Sequence, residues 1–269
     1  MYSNVPWRLV KSLSRKKERE KTNLTVAEGP SVVINALESG IKINAVIVTE
    51  EFAGTDRGRK LHRAMTQHPS PGKYFVVSSE LYNRMSSTKS PQGALCLLNF
   101  PFCFLSGEPQ DTWKHSLDIV GVDVQDPGNV GTIIRNGACV GASNIIMCGQ
   151  SADPFSPKVI RASVGMIFKV RTMFQEDSMS VLQNLHESGT MLYKTVPRKG
   201  IMPWEANFRS PSALVLGNEG QGLGPDVLEL PGTCITIPMP GAAESLNVAM
   251  ACSALLYETV RQRIMAGDI

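Results

Sequence analysis

Apolar residues recur along this chain in two rhythms. Short runs rich in Val, Ile and Leu alternate with stretches where apolar residues return every third or fourth position. In the first hundred residues, LTVAE (24–28), NAVIVTE (44–50), KYFVVS (73–78) and GALCLLNF (93–100) predict strands. Gly29-Pro30-Ser31 opens a helix that Gly40 stops. Further helices are expected over the basic segment 8–20, near 55–67 and at 79–85.

The second part alternates more clearly. LDIVGVDV (117–124), NIIMCG (144–149), FKVRTM (168–173), TMLYKTV (190–196), SALVLGNE (212–219) and CITIPM (234–239) read as strands. Helices are expected from about Val130 to Val140, as one piece over 156–168, over 177–188 and over 245–265. In the last, Leu246, Ala249, Met250, Tyr257 and Val260 fall on one face. Strands this apolar, separated by helices, imply a parallel sheet covered on both faces. The fold class is α/β throughout. The polar stretch SGEPQDTWKHS marks a linker at 106–116, between a small α/β domain at 1–105 and a larger one at 117–269.

Composition narrows the function classes. With 269 residues, 42% apolar and 19% charged, the chain is an ordinary globular one, long enough to need no disulfide or metal. No run approaches the ~18 apolar residues of a membrane span, so no membrane partner is expected. The net charge is only +3, but residues 1–21 hold seven Lys/Arg against two Glu. That basic start could engage a phosphate backbone or could be a solvated helix. None of the six cysteines forms CxxC or zinc spacing, and no metal site is expected. The cysteines sit in apolar segments and point to a reducing compartment. The N-terminus lacks a signal-peptide core, which suggests the cytoplasm; its basic, acid-free start leaves an organellar targeting remnant open.

Ligands of parallel α/β sheets bind at the carboxyl ends of strands. Three strand ends here are chemically rich: DPGNVGTIIRN (126–136), LGNEGQGLG (216–224) and IPMPGAAESLN (237–247). No phosphate-loop or dinucleotide fingerprint is present, yet the glycines at 217, 220, 222 and 224 imply close backbone approach or positive φ. Glu244, Ser245 and Asn247 exceed what one helix cap needs, although Ser245 alone would suit that role. Asn129 and Arg135 share the first segment. His62, His68, His115 and His186 all lie elsewhere, so the usual general base is missing, and each reads as a surface or packing residue.

Together and in this order, the three segments resemble the three motifs of the SpoU/TrmH family of RNA ribose 2′-O-methyltransferases, within the SPOUT superfamily. The resemblance covers about 118–262. AEGPSVVINALESG (27–40) is similar to part of the ribosomal-protein-like RNA-binding domain that many members carry. The resemblance implies a C-terminal parallel-sheet domain tied in a trefoil knot, a homodimer, and S-adenosylmethionine as cofactor. It places Thr195, Gly217, Glu219, Ile237, Met239 and Leu246 around that cofactor, largely through backbone groups. It places Asn129, Arg135, Glu219, Ser245 and Asn247 around the reacting ribose. The implied substrate is RNA, with ribosomal RNA favoured over transfer RNA. The competing readings are a transfer-RNA enzyme, and a non-catalytic RNA-binding or ribosome-assembly protein that keeps the fold. Pro240 stands where many relatives have a basic or polar residue, and Lys158 and Arg161 are candidate replacement phosphate contacts.

Overall fold

The computed structural model describes residues 5–99, 115–242 and 244–268. The expected linker falls almost wholly outside these, as do Phe100 and Cys103. The chain forms two compact units. One takes residues up to 108 together with 155–169; the other takes 109–154 and 170–269.

The first unit is built on strands β1 (Leu24–Glu28), β2 (Ile43–Thr49), β3 (Lys73–Val77) and β4 (Ala94–Asn99), in the order β1-β4-β2-β3. β4 runs antiparallel to β1 and β2, and the edge strand β3 runs parallel to β2. Alternate residues of these strands pack with Val10, Leu13, Tyr82 and Met85 into one core. The basic N-terminal segment forms two helices, Trp7–Ser12 and Lys16–Thr22, where one was expected. Arg19 explains the break. It is 2% exposed, and its guanidinium donates to the carbonyls of Leu13 and Ser14 at 2.9 and 3.1 Å. One of the seven basic residues counted above is thus an internal strut.

Residues 155–169 also depart from the expected single helix. Pro157–Ala162 is helical, Val164 and Gly165 take positive φ (54° and 77°), and Met166–Lys169 is a 3₁₀ turn. The bend is held by contacts to other parts of the first unit. Asn35 Nδ2 donates to the Val164 carbonyl at 2.8 Å, and Thr25 Oγ1 to the Phe155 carbonyl at 3.0 Å. A Cβ on Gly165 would lie 3.2 Å from Val32 Cα, so the close approach favours glycine. Arg161 is engaged as well, donating to Ser87 Oγ at 3.1 Å and lying 3.6 Å from the buried Glu28 carboxylate. It braces this unit, a role the sequence analysis did not give it beside that of candidate phosphate contact.

The second unit is a six-stranded, all-parallel sheet: β5 (Leu117–Val122), β6 (Asn144–Cys148), β7 (Arg171–Gln175), β8 (Met191–Thr195), β9 (Ser212–Leu216) and β10 (Thr233–Ile235), in the order β10-β8-β9-β5-β6-β7. The central strands β5 and β9 are buried at every residue, which accounts for their unbroken apolar runs. Burial pushes the thiols of Cys148 and Cys252 up to about 12, so they act as small apolar fillers. Two helix starts differ from expectation. Asp126 accepts from the amides of Gly128 and Asn129 at 2.7 and 3.0 Å, so the helix Pro127–Cys139 begins before the expected start at about Val130. The last helix, Val248–Ala266, is capped by Asn247 and not by Ser245.

At the sheet edge three backbone segments lie side by side. Val196 N donates to the Ile235 carbonyl at 2.9 Å, and Thr236 N donates to the Ile201 carbonyl at 2.9 Å. Strand β10 therefore has β8 on one side and residue 201, a few positions further along the same loop, on the other.

Arg263 closes the unit. It is 1% exposed and donates to the carbonyls of His115, Ser116, Phe208 and Ser210 at 2.7–3.4 Å. Arg263→Met would leave these buried acceptors short of donors. A loss of about 3 kcal/mol is expected, read as a lowered urea midpoint at unchanged m-value. A midpoint equal to wild type would show the carbonyls to be satisfied without it.

Candidate functional site

The site forms where three loops leave the carboxyl ends of β5, β9 and β10. The loop after β9 is the most constrained. Asn218 and Gly222 exchange two backbone hydrogen bonds of 3.0 Å, and Gly222 takes φ +72°. A Cβ on Gly217 would lie 2.4 Å from the Gly222 carbonyl carbon, so only glycine fits. Asn218 organises the rest. Its Oδ1 accepts from the amides of Gly220 and Gln221 at 2.9 and 3.0 Å, and its Nδ2 donates to the Asp123 carbonyl at 2.8 Å. The sequence reading overlooked Asn218. The signal was an Asn two residues before a glycine, the pattern of a side chain folding back on its own turn.

Glu219 joins all three loops. Its Oε1 accepts from Asp126 N at 3.0 Å and Asn129 Nδ2 at 2.9 Å, and its Oε2 accepts from Gln125 N at 3.1 Å. Asn129 Oδ1 in turn accepts from Asn247 Nδ2 at 2.9 Å. Partial burial pushes the Glu219 carboxyl up, but these hydrogen bonds to its ionised form outweigh burial and hold it below its ordinary value.

Beside this network lies a cavity of about 340 Å³, in the range of small-ligand sites. All six residues expected around the cofactor line it: Thr195, Gly217, Glu219, Ile237, Met239 and Leu246. Ser245 lines it too. Leu223, Leu228 and Ile235 supply apolar wall, and Leu228 belongs to the short helix Pro225–Glu229, which the sequence reading did not foresee. The Lys194 ammonium fixes that helix end by donating to the carbonyls of Leu228 and Leu230 at 2.8 and 2.6 Å. Among the described residues, Ile237, Met239 and Leu246 make no backbone hydrogen bond. An apolar slot edged by free backbone donors and acceptors suits a ligand with a flat heterocycle and a polar tail.

Of the five residues expected around the ribose, the structure therefore brings Asn129, Glu219 and Asn247 into one hydrogen-bonded chain, with Ser245 on the cavity wall. Arg135 is apart from them. It is exposed on the helix Pro127–Cys139, and no hydrogen bond or ion pair joins it to the network.

A parallel sheet with a glycine-walled cavity at the carboxyl ends of its strands defines an α/β protein with a small-ligand site, and sequence comparison gives its family. Residues 116–257 match the SpoU rRNA Methylase family, and residues 7–96 match the MRM3-like substrate binding domain. The chain belongs to the SpoU rRNA methylase family. A tRNA/rRNA methyltransferase of Synechocystis, itself uncharacterised, is 36% identical over 72% of this chain and 69% of its own length. The 23S rRNA (guanosine(2553)-2′-O)-methyltransferase RlmP of Bacillus subtilis is 29% identical over 92% of each chain. The AdoMet-bound rRNA methyltransferase from Sinorhizobium meliloti superposes with a TM-score of 0.80 at 27% identity, covering 97% of this chain and 96% of that one.

The depressed Glu219 carboxyl fixes a pH signature. Its contribution to loop order is complete above its ordinary value of about 4.5 and is lost as pH falls through the lower folded-state value. Protection of the Gln125 and Asp126 amides, relative to their intrinsic exchange rates, is expected to hold down to about pH 4.5 and to fall below it. In Glu219→Gln the acid step should vanish. An identical acid step in that variant would assign the titration to another group.

Proposed function

We propose that this chain transfers a methyl group from S-adenosylmethionine to a ribose 2′-hydroxyl of RNA, with ribosomal RNA as its substrate. The observation that carries this reading is the Glu219 network, which assembles the three motif loops beside a cavity of the right size and lining. Family membership supports the reaction, and the rRNA enzymes among its relatives support the substrate.

The cofactor, when bound, supplies an electrophilic methyl group. The remaining work belongs to the chain. Leu223, Leu228 and Ile235 exclude water from the cavity, which strengthens every polar contact inside it. The free backbone groups of Ile237, Met239 and Leu246 read the ligand's polar edges. Asn129 and Asn247 hold the ribose side of the site in register, and Ser245 shapes its wall. Glu219 is ionised, but three donors occupy its oxygens, so its role is to hold the loops. A guanidinium with a pKa above ~12 is no better as a base. In our reading the hydroxyl proton passes to the neighbouring RNA phosphate, while Arg135 grips that phosphate and stabilises the developing alkoxide. Its guanidinium, exposed and unpaired among the described residues, suits that contact.

Three further features belong to the proposal. The first unit binds the RNA, which its match to a substrate-binding domain supports. The chain works as a homodimer. Met250, Tyr257 and Ile264 are each more than half exposed and lie seven residues apart on the last helix, an apolar stripe suited to a second copy. The backbone is knotted, with β10 passing through the loop that begins at Val196; the hydrogen bonds on both sides of β10 support this.

Methyl transfer from labelled S-adenosylmethionine to total RNA tests the reaction. Wild type should place alkali-resistant label in RNA of ribosomal size, and Arg135→Ala should lower the rate at least ~100-fold with cofactor affinity retained. Label in transfer RNA only, or none, would overturn the substrate or the reaction. Tyr257→Asp should run as a monomer by light scattering; a dimer that persists would refute the helical interface.

A further inference from the structure

The first unit carries a second cavity, of about 310 Å³, lined by Ala53, Gly58, Arg59, His62, Arg63 and Tyr74. Its making is local. The helix Asp56–Gln67 buries Gly58, Leu61 and Met65 and turns Arg59, His62 and Arg63 outward, three and four residues apart on one face. Gly58 lets that helix abut the preceding turn, since a Cβ there would lie 2.1 Å from the Phe52 carbonyl oxygen. Opposite stands Tyr74 on the edge strand β3. Its ring is half-buried and meets His62 edge to face, with centroids 4.8 Å apart at 70°. Val76, two positions along the same face of β3, is 44% exposed. The tyrosine hydroxyl has no hydrogen-bond partner among the described residues.

The two arginines differ. Arg59 is held in place, donating to the Gly54 carbonyl at 2.7 Å and pairing with Asp56. Arg63 has no acceptor for its guanidinium among the described residues. Over 56–73 the chain has five Lys/Arg and one carboxylate. The N-terminal basic run looked richer from the sequence, but Arg19 is buried there and Lys16 lies 3.8 Å from Glu20. Arg8, Lys11, Lys17 and Lys21 stay exposed there, so the first unit offers positive charge on both segments, and the helix Asp56–Gln67 sets its share beside a cavity that holds an aromatic ring.

We infer that this cavity is a nucleotide-binding site for single-stranded RNA, in which a base stacks on Tyr74 beside His62 and Arg63 holds the adjoining phosphate. The inference rests on the reading above that the chain acts on RNA, and it assigns an RNA contact distant in sequence from the methyltransferase motifs. A guanidinium free to pair and an aromatic face within one small cavity are the two elements that single-strand binding needs. An acidic peptide would use the charge but would have no need of the ring.

Full-length protein is titrated with fluorescein-labelled fragments of large-subunit ribosomal RNA at several salt concentrations, and its binding of S-adenosylmethionine is measured separately. Arg63→Gln and Tyr74→Ala should each raise the RNA Kd about tenfold, with cofactor affinity as in wild type and, for Arg63→Gln, the unfolding temperature as well. Arg63→Gln should also reduce the salt slope by about one. Tyr74→Phe, which keeps the ring, should bind as wild type. RNA affinities within twofold of wild type for both variants would overturn the inference. So would a polyglutamate peptide that competes with RNA through Arg63 with no dependence on Tyr74. If RNA binding depends on both residues while wild type transfers no methyl group, the site stands and the catalytic reading fails.

Discussion

One carboxylate holds the functional end of this protein together. Glu219 collects two backbone amides from the loop after β5 and the side chain of Asn129, and through Asn129 it reaches Asn247 at the head of the last helix. Three loops that are far apart in sequence thereby become one surface. Backbone segments such as 236–242 and 244–247 have no regular structure to hold them, and a cavity walled by them depends on such side-chain ties. Asn218 performs the same service within its own turn. The sheet supplies the platform, but the shape of the cavity is set by these few polar contacts.

Buried cations form the second theme. Arg19, Lys194 and Arg263 are almost fully enclosed, and each donates to backbone carbonyls at chain breaks or helix ends. Such groups satisfy acceptors that would otherwise be stranded away from water. They also remove positive charge from the surface. Net charge along the sequence is therefore a poor guide to where an anionic polymer would lie. The exposed guanidinium groups of Arg63 and Arg135 matter more than the count in any window.

Much of this was legible in the sequence. β1 and the helix Ser79–Met85 fall where the pattern put them, because their apolar and capping residues agree with the tertiary environment. All six positions that the family resemblance placed around the cofactor line one cavity, because the motifs that carry the resemblance sit at the strand ends that wall it. What escaped was decided by long-range contacts. The break in 156–168 answers to Asn35 and Val32, more than a hundred residues away. The start of the last helix went to Asn247 because its amide also serves Asn129. Arg161 looked like a surface cation until Glu28 and Ser87 were placed beside it. His62, read as a surface or packing residue, is both, and what the sequence did not show is that its partner is Tyr74.

The hydrogen bonds leading from the last helix to Glu219 all point the same way. The helix amides of Ala249 and Met250 donate to Asn247, Asn247 donates to Asn129, and Asn129 donates to the carboxylate. Each asparagine must present its oxygen on one side and its nitrogen on the other, so neither amide can flip alone. Aspartate at either position would set oxygen against oxygen, and leucine would cut the line. The two positions are thus free to vary only as a pair, and spontaneous deamidation of either would count as damage to the whole relay. The polarity of one helix terminus is in this way written into the sequence 118 residues upstream.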